Sequence, residues 1–330
     1  MEYTGIGKTD VGRKRSGNED SLCVAEDLGL FLVADGMGGH AAGEVASRLA
    51  VETIQEWMRK YVRGESTALV GQSLTGASDR SNWLLSSIRR ASRMIFDAAQ
   101  AGKEYAGMGT TLVAALTIGD RVALAHVGDS RIYRVRDDQI VQLSKDHSYI
   151  QMQIERGIIS AEDAQGSQYR HLITRALGLK ESVEVDLAEH DVLAGDLLLL
   201  CSDGLSDLLE DEEMLAAIRE HADDPEKACQ ALIDQANFKG GDDNITVLLI
   251  RAREGKQAGW GILFWLRRMF GGDRSERAKT KRYRHRPHGG LGAACQGHGG
   301  GGIDPPHRPA EHQRDLREWA SGGRGEPAPE

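Results

Sequence analysis

Four aspartates stand in glycine- or asparagine-flanked turns, and three of them close an apolar run. Asp35 follows 30–34 in L-F-L-V-A-D-G-M-G-G-H, and Asp129 follows 122–127 in A-L-A-H-V-G-D-S-R. Asp203 follows 197–201 in D-L-L-L-L-C-S-D-G, while Asp243 precedes 245–250 in G-G-D-D-N-I-T-V. A strand that stops at Asp-Gly delivers a carboxylate to the edge of a sheet. The glycine beside it lets the backbone turn tightly and lets a ligand come close. One such turn is ordinary. Four of them between residues 35 and 243 suggest a fold that gathers strand ends in one place. Carboxylates gathered in that way suit hard divalent cations, which take oxygen ligands. The pattern points to metal-assisted chemistry on a phosphate or similar oxyanion.

The β-like runs are 30–34, 111–117, 122–127, 132–135, 140–143, 197–201 and 245–250, and several are joined by turn signals at Gly119-Asp120, Asp137-Asp138 and Gly195-Asp196. Helix-like segments cover 42–63, 83–100, 147–156, 211–221 and 225–236. Pro225 fits the first position of a helix capped by Asp224. Strands in hairpin-like series around helix pairs predict an α+β sandwich with antiparallel sheets, not a βαβ repeat. At 330 residues and 40% apolar content the chain can bury a sizeable core.

The net charge of −9 gives no case for nucleic-acid binding, but the charge is uneven. From Arg251 onward there are 16 basic and 9 acidic residues, so the first 250 carry −16. Six of the seven prolines lie between Pro287 and Pro329, and Pro plus Gly make up 17 of the 44 residues in 287–330. Such a composition buries too little apolar surface to fold, and predicts disorder. The expected organisation is a catalytic domain over 1–253, an aromatic and basic segment over 254–286, and a disordered tail over 287–330. Within the middle segment, W-G-I-L-F-W-L is followed by nine Lys/Arg and two acidic residues between Arg267 and Arg286. That stretch is too short to span a bilayer but suits peripheral contact with an anionic lipid surface through 259–286; the alternative is packing on the domain or a partner.

Cys23, Cys201, Cys229 and Cys295 are scattered with no C-x-x-C pair. Buried reduced thiols in a cytoplasmic protein are expected, rather than a disulfide framework or a zinc site. The N-terminus M-E-Y-T-G-I-G-K-T-D has no apolar stretch of the signal-peptide kind, and no apolar run reaches membrane-spanning length.

Near the start stands R-S-G-N-E-D, which puts the Arg15 guanidinium close to Glu19 and Asp20. An arginine fork can give a phosphate two parallel hydrogen bonds. D-G-M-G-G-H is not a phosphate loop, because no Gly-Lys-Ser/Thr follows. A carboxylate at Asp35 with the Gly36 carbonyl is instead a sensible oxygen pair for Mg²⁺ or Mn²⁺. Each motif alone is weak. The ordered set R-S-G-N-E-D, D-G-M-G-G-H, G-T-T, G-D-S-R, D-H-S, I-T-R-A-L-G, S-D-G-L-S-D and G-G-D-D-N-I-T-V is highly specific.

On those motifs residues 1–252 resemble the bacterial metal-dependent serine/threonine protein phosphatases of type 2C. The resemblance implies a four-layer α-β-β-α sandwich with two central, mostly antiparallel sheets and a metal centre at one end. It implies hydrolysis of phosphoserine and phosphothreonine in proteins by a hydroxide bridging two divalent metals, Mn²⁺ or Mg²⁺, in opposition to a bacterial Ser/Thr kinase. Carried over by motif, Asp35 would bridge the two ions, the Gly36 carbonyl would bind the first, and Asp203 and Asp243 the second. Glu19 and Asp20 would act through water, Asp129 with Asp203 would take a third, weaker ion, and Arg15 would bind the phosphate. Animal relatives have a His directly after the Asp-Gly as the proposed general acid. Here that place is Met37, which leaves His40 as the candidate acid, with a metal-bound water as the alternative. The segment 145–178 corresponds to the mobile flap beside the site. A monomer is expected. Two other readings use the same motifs: a pseudophosphatase that only binds phosphoproteins, and a metal-dependent phosphohydrolase of small phosphate esters.

Overall fold

Strands that are apolar at every position, such as L-F-L-V-A and L-L-L-L-C, need two buried faces, because successive side chains point to opposite sides of a sheet. The computed structural model, which describes residues 1–38, 41–160, 163, 169 and 172–255, supplies both. Its strands are β1 (Glu2–Asp10), β2 (Asp20–Ala25), β3 (Leu30–Met37), β4 (Gly109–Thr110), β5 (Leu112–Ile118), β6 (Arg121–Val127), β7 (Arg131–Arg136), β8 (Gln139–Gln142), β9 (Asp186–Asp191), β10 (Leu197–Cys201) and β11 (Ile245–Arg253). One sheet runs β1-β11-β10-β7-β8. The other runs β2-β3-β5-β6-β9, with β4 paired on β3. Every pairing is antiparallel.

The helices are α1 (Ala41–Val62), α2 (Asp79–Ala101), α3 (Tyr149–Glu155), the single turn α4 (Asp203–Ser206), α5 (Asp211–Glu220) and α6 (Pro225–Phe238). The period of two along the strands divides the apolar residues among three cores. Leu30, Leu32 and Ala34 of β3 pack with Leu49, Ile54, Leu84 and Ile88 of α1 and α2. Phe31 and Val33, from the same strand, meet Leu198, Leu200, Leu248 and Ile250 of the opposite sheet. Leu199 and Cys201 of β10 then turn outward to Met214 and Ile218 of α5 and Leu232 and Ile233 of α6. The layers are therefore α1/α2, sheet, sheet, α5/α6, the four-layer α+β sandwich that the motifs imply.

Local signals set the helix starts. Ser78 caps α2, its side chain accepting from the Ser81 amide, and Asp224 caps α6 with Pro225 in the first turn. Helix α3 begins at Tyr149, later than the sequence pattern suggests, with Ser148 as its cap. His147 is drawn out of the helix because its amide donates to the Gly128 carbonyl at 2.8 Å. Strands β1, β2, β4 and β9 are absent from the sequence-derived set. Met1–Gly255 forms one compact unit. Apart from Glu254 and Gly255, the segments 254–286 and 287–330 lie outside the described residues.

Candidate metal centre

The register of the sheets brings the aspartate turns to one end of the sandwich. Asp20 on β2 lies opposite Asp35 on β3, and Gly36 lies opposite Thr110 on β4. Since β10 pairs with β11, the turn that leaves β10 at Asp203 meets the turn that enters β11 at Asp243. A Cβ on Gly204 would sit 2.1 Å from the Asn244 carbonyl oxygen, so only glycine lets these two turns stack backbone on backbone. Gly36 is as confined, with a notional Cβ 2.0 Å from the Gly43 carbonyl oxygen of α1.

Between these turns lies a cleft of about 480 Å³. Arg15, Glu19, Asp35, Gly36, Asp129, Asp203 and Asp243, all singled out from the sequence, line it. Asp20 does not reach its surface. It lies buried beneath, where the Ser202 and Thr246 hydroxyls donate to its Oδ2 at 2.8 and 2.6 Å. Met37 lines the cleft, whereas His40 lies outside the described residues. Asp207 and Asp242 also line it and were missed as site residues. Asp207 had a signal: it stands four residues after Asp203 in S-D-G-L-S-D, one helical turn on, and its amide donates to the Asp203 carbonyl at 2.8 Å.

Backbone and amide contacts hold the carboxylates in place. The Asp35 amide donates to the Thr111 hydroxyl at 3.1 Å, and its carbonyl accepts from the Thr111 amide and the Thr110 hydroxyl, both at 2.8 Å. That is the work of the G-T-T motif. Asn244 is buried and uses its whole side chain. Its Oδ1 accepts from the Glu19 amide at 2.8 Å, and its Nδ2 donates to the Val11 and Gly17 carbonyls, each at 2.9 Å. The loop carrying Arg15 and Glu19 is thereby tied to the turn carrying Asp243. Arg15 Nη2 donates to Asp243 Oδ2 at 2.6 Å, and Lys14 pairs with Asp242 at 2.6 Å.

Burial and mutual repulsion work against ionisation here. Burial, then the charges of Asp20 and Asp203, push Asp35 well above the usual carboxylate range. Burial first, with Asp203 and Asp243 adding, raises Asp20 to about 7, even though two hydroxyls favour its charged form. Burial and Asp203 raise Asp129 to about 8. Asp20 Oδ1 is buried with no hydrogen-bond partner. A buried carboxylate oxygen left unmatched, among crowded anions, is what a cation would relieve. The donor set, carboxylates and a carbonyl with no thiolate or imidazole among the described lining residues, fits Mg²⁺ or Mn²⁺.

The described thiols contribute no nucleophile. Cys23, Cys201 and Cys229 are free and buried. Burial pushes them up to about 11, 12 and 12.

The comparison with known families agrees with this geometry, since residues 12–235 match the family described as "Protein phosphatase 2C". The chain belongs to the protein phosphatase 2C family. It is a metal-dependent serine/threonine protein phosphatase, and phosphoproteins are its substrates. The serine/threonine phosphatase stp of Listeria innocua is 40% identical over 246 residues, covering 74% of this chain and 93% of that protein. The serine/threonine protein phosphatase PstP of Mycobacterium tuberculosis is 37% identical over 242 residues, covering 73% of this chain but 43% of that longer protein. The crystal structure of Mycobacterium tuberculosis PstP/Ppp superposes with a TM-score of 0.68 at 35% identity, covering 77% of this chain and 100% of that one. The catalytic domain of PstP in complex with two manganese ions superposes with a TM-score of 0.64 at 35% identity, over 76% of this chain and 99% of that one.

Proposed function

We propose that the gathered carboxylates are the metal ligands of this 2C-type phosphatase. Asp35 holds two Mn²⁺ or Mg²⁺ ions, the Gly36 carbonyl serves the first, and Asp203 and Asp243 serve the second. Asp129 with Asp203 takes a third, weaker ion, while Glu19 and Asp20 act through water. The observation that carries this reading is the convergence of carboxylates from separate strand ends, with Arg15, on one cleft. Bound there, the ions neutralise phosphate charge and lower the pKa of water so that hydroxide is available near neutral pH.

The protein's own contribution is placement. Arg15, at the cleft mouth, presents its fork to the phosphoryl oxygens and orients the group for in-line attack. Thr110, Thr111 and Asn244 hold the ligand-bearing turns at fixed separation. The serine or threonine alkoxide leaves and takes a proton, with His40 the candidate donor. The described thiols stay protonated, so none of them serves to form a cysteinyl-phosphate intermediate. A protein that only bound phosphoproteins would have no need of the full carboxylate set, which this chain retains.

The substrates are phosphoserine and phosphothreonine proteins made by an opposing Ser/Thr kinase, with the enzyme acting as a cytoplasmic monomer. For the 259–286 segment two readings stand: peripheral contact with the inner face of the membrane, or packing on the domain or a partner. The test compares turnover of a phosphothreonine peptide with that of nucleotides in Mn²⁺, before and after chelation. Peptide turnover that vanishes on chelation and returns with Mn²⁺ is expected. Preference for nucleotides, or full activity after the metal is shown to be stripped, overturns the reading.

A further inference from the structure

Away from the carboxylates, a second cluster joins three parts of the chain that sequence reasoning kept separate. His147, of the D-H-S motif, is buried and grips Gly128 twice. Its amide donates to the Gly128 carbonyl at 2.8 Å, and its ring Nδ1 accepts from the Gly128 amide at 3.1 Å. Gly128 immediately precedes Asp129. The His147 carbonyl accepts from the Thr174 amide and hydroxyl at 2.7 and 2.9 Å. Thr174 follows Ile173, which lines the metal cleft. At the far side of the ring, Nε2 stands 3.4 Å from Asp186 Oδ2 on the edge strand β9. Arg175 donates to the other oxygen of Asp186 at 2.7 Å. The His147 ring also stacks on His126, with centroids 4.8 Å apart and planes at 19°.

The nitrogens of His126 and His147 and the Asp186 carboxylate lie within 4.8 Å of one another, a spacing that invites a metal. Two contacts argue against one. Arg175 Nη1, a donor only, comes within 3.1 Å of His147 Nε2 and occupies the approach with positive charge. A neutral ring cannot accept at both nitrogens, and we assign the acceptor to Nδ1, which the backbone amide of Gly128 faces, because Arg175 Nη1 has its shorter bond to Asp186 Oδ1 at 2.7 Å. Nδ1 already uses its lone pair on the Gly128 amide, so a neutral ring carries its proton on Nε2 and has no lone pair there for a cation. Burial, with Arg175 and His126 adding, lowers the pKa of His147, which keeps the ring neutral. The proton on Nε2 faces Asp186.

We propose that His147, held in the Nε2–H form by Asp186, is a positioning residue for the phosphatase reaction: it fixes the turn that carries Asp129 and the Ile173 wall of the cleft as one unit. This rests on Asp129 being a metal ligand. Groups that orient ligands from behind the first layer typically alter metal affinity by about 10–100-fold when lost. Here the lever is the backbone of the turn.

The test uses the full chain. In the Mg²⁺ form, ¹⁵N NMR of the His147 ring is expected to show an unprotonated Nδ1 and a protonated Nε2 at neutral pH. The reverse pattern overturns the proposal, and this readout needs no variant. Mn²⁺ binding is then followed by electron paramagnetic resonance in two substitutions. His147→Asn puts an amide oxygen near the place of Nδ1 and keeps the grip on Gly128. His147→Gln reaches toward Asp186 instead and releases it. His147→Gln is expected to weaken the weakest Mn²⁺ by about 10-fold, with His147→Asn losing much less. Equal effects of the two, or unaltered binding in His147→Gln, overturn the proposal. Asp129→Asn separates the two failures. If it too leaves Mn²⁺ binding unchanged, the ligand assignment of Asp129 is at fault. If it loses the ion while His147→Gln keeps it, the positioning role is.

Discussion

Asp203, Asp243 and Arg15 share one cleft, but their losses remove different things. Asp203→Asn and Asp243→Asn each take a negative charge from the site that activates water, while the turns that carry them stay held by backbone contacts. Turnover of a phosphothreonine peptide is expected to fall by about 10³-fold or more for each, on the scale of lost electrostatic stabilisation. Steady-state kinetics across a Mn²⁺ titration checks this, and near-normal turnover of Asp203→Asn at low Mn²⁺ would falsify the assignment. Arg15→Ala removes orientation rather than water activation, and a fall of about 100-fold is expected. Because Arg15 also pairs with Asp243, its loss should shift the Mn²⁺ dependence, if at all, toward lower Mn²⁺, the opposite direction from the two aspartates. Asn244 acts on stability as well. Asn244→Ala abandons one amide and two carbonyls at the junction of the Arg15 loop and the Asp243 turn. At roughly 1 kcal/mol per bond the loss is about 2–3 kcal/mol, read as a lowered denaturant midpoint with an unchanged slope.

At the scale of elements, Glu189 on β9 fastens helix α2 to its sheet. Its Oε1 accepts from the Ser78 amide at 2.7 Å and the Ser81 hydroxyl at 2.6 Å, at the helix start, and Arg121 pairs with its other oxygen at 2.7 Å. Those donors hold its pKa down at about 2. A depressed carboxylate contributes its stability in full above its unfolded pKa, near the usual glutamate value, and loses it as pH falls toward about 2. Glu189→Gln is therefore expected to cost about 1–2 kcal/mol at neutral pH, and the gap between the two proteins should close below about pH 4. A gap that stays constant down to pH 3 in urea titrations would show that the charge is not what holds the helix. The elements that sequence reading found and those it missed differ in the same physical respect. Strands β3, β5, β10 and β11 have neighbours on both sides and apolar residues on both faces, which writes continuous apolar runs. Of the missed strands, β4 is only two residues long, and β1, β2 and β9 are sheet edges, the last reading D-L-A-E-H-D. Strand β8, an edge as well, was found because the Asp137-Asp138 turn marks its hairpin with β7. The site follows the same division. Aspartates at strand ends were legible because the strand and the turn are both local. Asn244 as a tie and His147 as a grip on Gly128 were not, because each depends on partners far away in the chain.

At the scale of the whole molecule, charge is divided between a strongly acidic first 250 residues and a basic remainder. An acidic domain is repelled by an anionic surface, so any attraction to lipid must come from 259–286, whose structure lies outside the described residues. No described helix is long and apolar enough to cross a membrane. Its nine Lys/Arg against two acidic residues, next to W-G-I-L-F-W-L, combine the two contributions that interfacial binding needs. Each basic residue close to an anionic leaflet contributes about 1 kcal/mol, and aromatic rings add apolar insertion. The attraction should weaken with salt, since the Debye length shrinks to about 8 Å at physiological ionic strength. Full-length protein is expected to co-sediment with phosphatidylserine-containing liposomes at low salt and to be released as salt rises. A protein ending at Arg253 is expected to stay in the supernatant under both conditions. Turnover of a soluble phosphopeptide should be the same for the two, because the cleft residues all precede Arg253. Equal, negligible sedimentation of both proteins at low salt would rule out the membrane role and leave the metal centre untouched. A shorter protein that lost activity would instead mean that the remainder of the chain supports the catalytic domain.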